Sequence, residues 1–217
     1  LDDFVRAHKQ DLAADVVVIS DSPMFDRGIP SICYGLRGLA YFQIDIRGTK
    51  SDLHSGSFGG AVANPAFVLA QVLAQMKDRG GHIKIPGFYD DVTPVSAADK
   101  AALAALPDVE TDLKKALGLG RNIGGPRLAD GYLQPTLNVR AIHAGDTGPQ
   151  AANAIATEAK ASIDFRLVPK QSPERIRALV EAHLKATGWY VTHAAATDDE
   201  RRAHPKVVRV TWGGGDE

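Results

Sequence analysis

Three places in the 217-residue chain carry side chains able to do chemistry from an exposed setting. The first is Asp-Leu-His-Ser-Gly-Ser-Phe-Gly-Gly at residues 52–60. Its three glycines free the backbone and leave His54 on a loop, where a side chain is presented rather than packed. The segment reads equally well as a glycine-rich connector with a histidine in solvent. It lacks the glycine spacing of a P-loop or a dinucleotide turn, so a phosphate cradle is not supported. The second place is Asp21, in Ser20-Asp21-Ser22 ahead of Pro23. A carboxylate there could ligate a metal or cap the next turn, and one aspartate does not make a zinc site, which takes about three protein ligands. The third is Arg166, whose guanidinium offers a forked contact to a carboxylate or a surface ion pair with Asp164 or Glu158. There is no Gly-x-Ser-x-Gly elbow. The histidines at 8, 82, 143, 183, 193 and 204 show no His-Glu-x-x-His pairing and read as structural or solvent residues.

These residues must be held by regular elements. Residues 16–19, Val-Val-Val-Ile, form an apolar β-branched run with the pattern of a strand buried on both faces. Residues 39–46 alternate instead, with Ala40, Phe42, Ile44 and Ile46 on one face and Gln43 and Asp45 on the other, as in a half-buried antiparallel strand. Asn64 and Pro65 open a helix predicted over 65–79, with Val68, Leu69, Val72, Leu73 and Met76 as its apolar stripe and Gly80-Gly81 as its stop. Residues 83–131 read as an insertion with two short helices, one opened by a Ser96–Asp99 capping box and one closed by Gly118. Strands are predicted again at 137–142 and 159–165. Ser172 and Pro173 then open a second helix, with Ile176, Leu179, Val180 and Leu184 facing inward and Gly188 as its stop, and strand candidates follow at 189–195 and 207–212. Strand, helix, insertion, strand, strand, helix, strand is the split unit of an α+β ferredoxin-like fold: an antiparallel sheet with two helices on one face. The run at 16–19 falls outside that unit, as the edge of another domain.

Composition narrows the function classes. The chain is 44% hydrophobic and 24% charged, the profile of a globular domain with a real core. Its 25 basic and 26 acidic residues give a net charge of −1, with no positive excess for a phosphate backbone, and no apolar run approaches a membrane span. Neither nucleic acid nor a membrane is expected as a partner. The single cysteine, Cys33, excludes an internal disulfide and a thiolate metal cluster and fits a reducing, cytoplasmic compartment.

Four segments in fixed order resemble the M20 metallopeptidases, the family of carnosine dipeptidases, cytosolic non-specific dipeptidases, aminoacylases and glutamate carboxypeptidases. They are Tyr-Gly-Leu-Arg-Gly at 34–38, Asp-Leu-His-Ser-Gly at 52–56 with Gly59 and Gly60, Ile-Pro-Gly-Phe-Tyr-Asp-Asp at 85–91, and Asp-Phe-Arg-Leu-Val-Pro at 164–169. The loop and the Ile-Pro-Gly segment resemble the dipeptidase branch most. The resemblance implies a zinc-peptidase domain interrupted by a ferredoxin-like lid that also forms a homodimer. Residues 37–198 would be the lid, with 1–36 and 199–217 as short flanking stubs of the α/β catalytic domain. Position by position, Asp21 resembles a ligand to one of two Zn2+ ions, and His54 the lid histidine that crosses the dimer interface to stabilise the oxyanion. Arg166 resembles the arginine that grips the substrate's terminal carboxylate. Asn153 resembles a polar substrate contact, although the segment reads Asn-Ala-Ile-Ala where the family has a proline.

The family's early His-x-Asp segment, bridging aspartate, Glu-Glu pair and late histidine ligand have no counterpart in these 217 residues. With no initiator Met at Leu1, the expectation is a piece of a longer enzyme. That enzyme would hydrolyse dipeptides or related amides, and the piece alone would be inactive and hold no tight zinc. The competing expectation is a non-catalytic ferredoxin-like dimerisation or binding module.

Overall fold

The computed structural model describes every residue except 1, 19, 20, 22, 23, 33, 34, 124, 126 and 214–217. The chain divides into two compact units, residues 1–36 and 37–217. The first holds a short helix, α1 (Asp2–Ala7), and an isolated bridge between Asp26 and Ile29. The strand expected at 16–19 is not formed by its described residues: Val16, Val17 and Val18 are irregular and 75–83% exposed. A strand exists through its neighbours' hydrogen bonds, and no described strand pairs with this run. Ile19 lies outside the described residues.

In the second unit the chain runs through β1 (Gly38–Arg47), β2 (Leu53–His54), α2 (Ser55–Phe58), α3 (Pro65–Met76), α4 (Ala97–Ala104), α5 (Glu110–Leu117) and β3 (Thr136–His143). It continues through β4 (Ala154–Ile155), β5 (Glu158–Leu167), α6 (Pro173–Ala186), β6 (Tyr190–Thr192), α7 (Asp198–Ala203) and β7 (Val207–Gly213). The main sheet has the order β3-β5-β1-β7-β6, antiparallel except for the β6–β7 edge pair. Register follows the hydrophobic pattern. Ala40, Phe42, Ile44 and Ile46 of β1 lie opposite Phe165, Ile163, Ala161 and Ala159 of β5, so both inward sets share one face. On the other side of β1, Trp212, Val210 and Val208 lie opposite the last three of those β1 residues.

That face is covered by both long helices, with Leu69, Val72 and Met76 of α3 and Ile176, Val180 and Leu184 of α6 in one core with the strand residues. Each helix starts where its sequence can satisfy the free amides. Asn64 accepts from the Ala66 amide at 2.9 Å and Ser172 from the Arg175 amide at 3.2 Å, with Pro65 and Pro173 in the first turns. α3 ends at Met76, short of the expected Arg79, because Lys77 leaves the helix to bridge Ile83 across a turn.

That bridge changes the reading of the middle segment. Ile83, Ile85 and Phe88 are fully buried in the main core, and Phe88 packs on Phe165 with ring centroids 5.6 Å apart. The Ile-Pro-Gly-Phe stretch is therefore part of the fold's centre, and the inserted helices begin only at α4. The Ser96–Asp99 capping box and the left-handed Gly118 that closes α5 are as read from the sequence. Glu110 ties this region together, receiving Lys114, the Asn122 amide and the Leu128 N–H, which together hold its carboxyl down at about 2.

Asp45, which the alternation puts on the face of β1 away from Ala40, Phe42, Ile44 and Ile46, is nevertheless only 1% exposed. Its carboxylate receives two hydrogen bonds from Arg209, one of them from Nε at 2.6 Å, and one from Gln43 at 2.6 Å. Arg209→Met should cost about 3–5 kcal/mol in urea unfolding, because it leaves a buried carboxylate without its counter-charge. A loss below about 1 kcal/mol would show that water reaches Asp45.

Candidate functional site

The glycine loop is not a free connector. Gly48, directly after β1, donates its N–H to the Thr157 carbonyl at 2.7 Å, and a Cβ on Gly48 would stand 2.6 Å from the Pro65 ring, so the chain turns there only with glycine. Five residues on, β2 pairs antiparallel with β4, Leu53 opposite Ile155 and His54 opposite Ala154. Ser55 N–H then donates to the Asn153 carbonyl at 2.9 Å. Ile155 is buried and anchors this small ribbon, while His54 and Asn153 are exposed. Two residues that are 99 positions apart in sequence are thus brought together, His54 on β2 and Asn153 directly before β4.

His54 is also the N-cap of α2, and its Nδ1 accepts the Gly56 N–H at 3.1 Å. Its Nε2 has no partner among the described residues. The side chain of Asn153 likewise has no partner among them, so both present free polar groups.

Arg166 stands at the far end of β5, opposite Leu39 of β1 and Thr136 of β3. Glu158, at the end next to the His54 ribbon, is eight residues away, which at strand rise is about 27 Å. Arg166 and Asp164 share the sheet face turned away from the helices. The Arg166 Nε lies 3.3 Å from Asp164 Oδ2, the ion pair that its sequence setting allowed. Glu158, the other candidate partner, is taken by Arg47 and Lys160, which hold its carboxyl below the usual carboxylate range, the Lys160 hydrogen bond foremost. The Asp164 side chain is only 8% exposed and that of Arg166 is 46% exposed. The arginine is therefore held at Nε, with its two Nη groups free of partners among the described residues.

Asp21 belongs to the first unit and is exposed, while Ser20, Ser22 and Pro23 beside it lie outside the described residues. Among the described residues no group of three or more His, Cys, Asp or Glu is arranged to hold a metal ion. The described residues thus do not by themselves assemble a zinc centre. Of the other histidines, His8 stacks on Phe4, His82 on Tyr89 and His204 on Tyr190. His183 is partly buried, and desolvation with nearby Lys84 lowers its basicity below that of a free imidazole. No helix among the described residues is long and apolar enough to cross a membrane. Tyr34 of the Tyr-Gly-Leu-Arg-Gly segment lies outside the described residues. Sequence reasoning missed the contact of Gly56 with His54, which leaves no periodic signal in a four-residue turn.

The comparisons with known proteins agree with this arrangement of elements. Residues 34–188 match the model of the peptidase dimerisation domain. The chain belongs to that family, the dimerisation domain of M20 peptidases. Among curated proteins it is 32% identical over 189 residues to the Cys-Gly metallodipeptidase dug1 of Schizosaccharomyces pombe, covering 85% of this chain and 40% of that one. It is 28% identical to the Beta-Ala-His dipeptidase of Mus musculus, covering 80% of this chain and 36% of that one. Among solved structures, the M20 family metallo-carboxypeptidase Sso-CP2 from Sulfolobus solfataricus superposes with a TM-score of 0.72 at 32% identity, over 87% of this chain and 50% of that one. Human carnosine dipeptidase 1 shares the fold with a TM-score of 0.79 at 24% identity, over 98% of this chain and 44% of that one. The dimerisation domain chain thus spans about two fifths of the length of these curated relatives.

Proposed function

We propose that this chain is the lid and dimerisation domain of a cytoplasmic dinuclear zinc peptidase that hydrolyses dipeptides or related amides. It serves that enzyme by supplying groups to two active sites of a homodimer. The sheet order and the two helices on one face support a ferredoxin-like arrangement of the lid. The observation that carries the proposal is the separation of the candidate residues. A dipeptide reaches about 7 Å when extended, while His54 and Asn153 adjoin one end of β5 and Arg166 stands at the other, about 27 Å of strand away. One small substrate cannot touch both within one chain. In a dimer it can, when the His54–Asn153 ribbon of one subunit meets the Arg166 end of the other.

Within such a site the roles follow from chemistry. Arg166, with Nε on Asp164, turns its Nη pair to the substrate's terminal carboxylate as a two-pronged clamp. That clamp fixes the scissile amide relative to His54. The His54 Nε2–H donates to the carbonyl oxygen as it gains negative charge, and the Asn153 amide donates or accepts beside it. Zinc in the whole enzyme would polarise the carbonyl and activate water. Asp21 is this chain's one candidate ligand, and among the described residues it belongs to no group of three or more donors able to hold the ion. A non-catalytic module would need no histidine aimed outward and no clamp with its fork open.

In sedimentation equilibrium at several concentrations the chain is expected to behave as a dimer, and the full-length protein to cleave unblocked dipeptides. A monomer at all concentrations, with a full-length protein inert toward dipeptides, would contradict the reading.

A further inference from the structure

We infer that the Gly56 amide fixes the tautomer and the orientation of the His54 ring, so that Gly56 is a positioning residue for the proposed oxyanion donor. A backbone N–H is a donor in every state, and the Gly56 N–H points at His54 Nδ1 from 3.1 Å. The nitrogen that accepts it carries a lone pair, so in the neutral ring the proton sits on Nε2. This is the tautomer the chemistry requires. With the proton on Nδ1 instead, Nε2 would turn a lone pair toward the developing oxyanion and repel it. The ring is exposed on a short turn and has no core to hold it, so this bond does what packing does for a buried side chain. Glycine at position 56 also leaves the ring the room to meet that amide. A Cβ there would stand 2.7 Å from His54 Cε1 and 3.0 Å from Nδ1, pushing the ring off the amide. The glycine thus serves approach to the ring rather than an unusual backbone angle, since Gly56 is not among the residues of positive φ.

The inference rests on the catalytic role proposed for His54, yet its structural half is testable without turnover. Nitrogen-15 spectra of the 217-residue chain, at a pH where the ring is neutral, should show His54 as a single Nε2–H tautomer. Two tautomers in exchange, or the proton on Nδ1, would overturn the assignment. Gly56→Ala should release the ring into a tautomer mixture. In the full-length enzyme it should lower kcat about 10- to 100-fold, with KM and metal content unchanged. Gly56→Pro, which removes the N–H itself, should do the same. A Gly56→Ala enzyme with an unchanged His54 spectrum and full turnover would overturn the positioning role. If the wild-type spectrum is as stated but His54→Ala turns over normally, the catalytic reading falls and the tautomer assignment stands.

Discussion

His54→Ala in the full-length dimer should lower turnover by about 10²- to 10³-fold, the usual loss when one preorganised donor to an oxyanion is removed. The loss should appear in kcat more than in KM, because the donor meets its full partner only in the transition state. Metal content should not change, since His54 stands on the β2–β4 ribbon beside Asn153 and belongs to no group of three or more His, Cys, Asp or Glu able to hold a metal among the described residues. Folding should be nearly unaffected as well, the ring being exposed and, among the described residues, hydrogen-bonded only to the Gly56 amide. Metal analysis, steady-state kinetics and thermal unfolding on one preparation check all three. Turnover near that of the wild type would remove His54 from the mechanism.

Arg166→Ala should act on the other side of the same site. A charge-assisted contact to a carboxylate is worth about 1.5–3 kcal/mol, so kcat/KM for an unblocked dipeptide should fall about 10- to 150-fold. The effect should lie mainly in KM, and it should vanish for a substrate whose terminal carboxylate is amidated. Arg166→Lys should fall between, keeping the charge but losing the fork. Asp164 enters here, because its buried carboxylate takes Nε and thereby leaves the other edge of the guanidinium for substrate. An Arg166→Ala enzyme that loses equally on free and amidated dipeptides would show that Arg166 supports the sheet rather than the substrate.

How much of this was legible in the sequence depends on how local each signal was. β1, β5 and α6 announce themselves, because a period of two or a stripe of Ile176, Val180 and Leu184 persists over many residues. The β2–β4 ribbon does not, since two residues a side make no period, and the burial of Ile155 that accompanies it is a long-range contact. α7 carries a Thr197–Glu200 capping box in plain view, but its Asp-Asp-Glu-Arg-Arg-Ala body has no apolar stripe to call attention to it. The burial of Asp45 depends on Arg209, 164 residues away, and nothing near Asp45 foretells it. Residues 16–18 mislead in the opposite way, being as β-branched as any strand yet unpaired among the described residues. Of the candidate site, the residue types were readable and their grouping was not. His54 with Asn153, and Arg166 apart from both, follows only from the pairing of β1, β2, β4 and β5.

That grouping is the central claim, and mixing two impaired variants, assayed at substrate well below KM, tests it most directly. His54→Ala and Arg166→Ala full-length enzymes are dissociated, combined in equal amounts and allowed to re-form dimers. If each site draws His54 from one subunit and Arg166 from the other, a mixed dimer has one intact site and one doubly broken one. Half of the randomly re-formed dimers are mixed, so activity should recover to about a quarter of the wild-type value. If both residues serve a site within their own subunit, every site in every dimer stays broken, and the mixture shows only the average of the low activities of its two components.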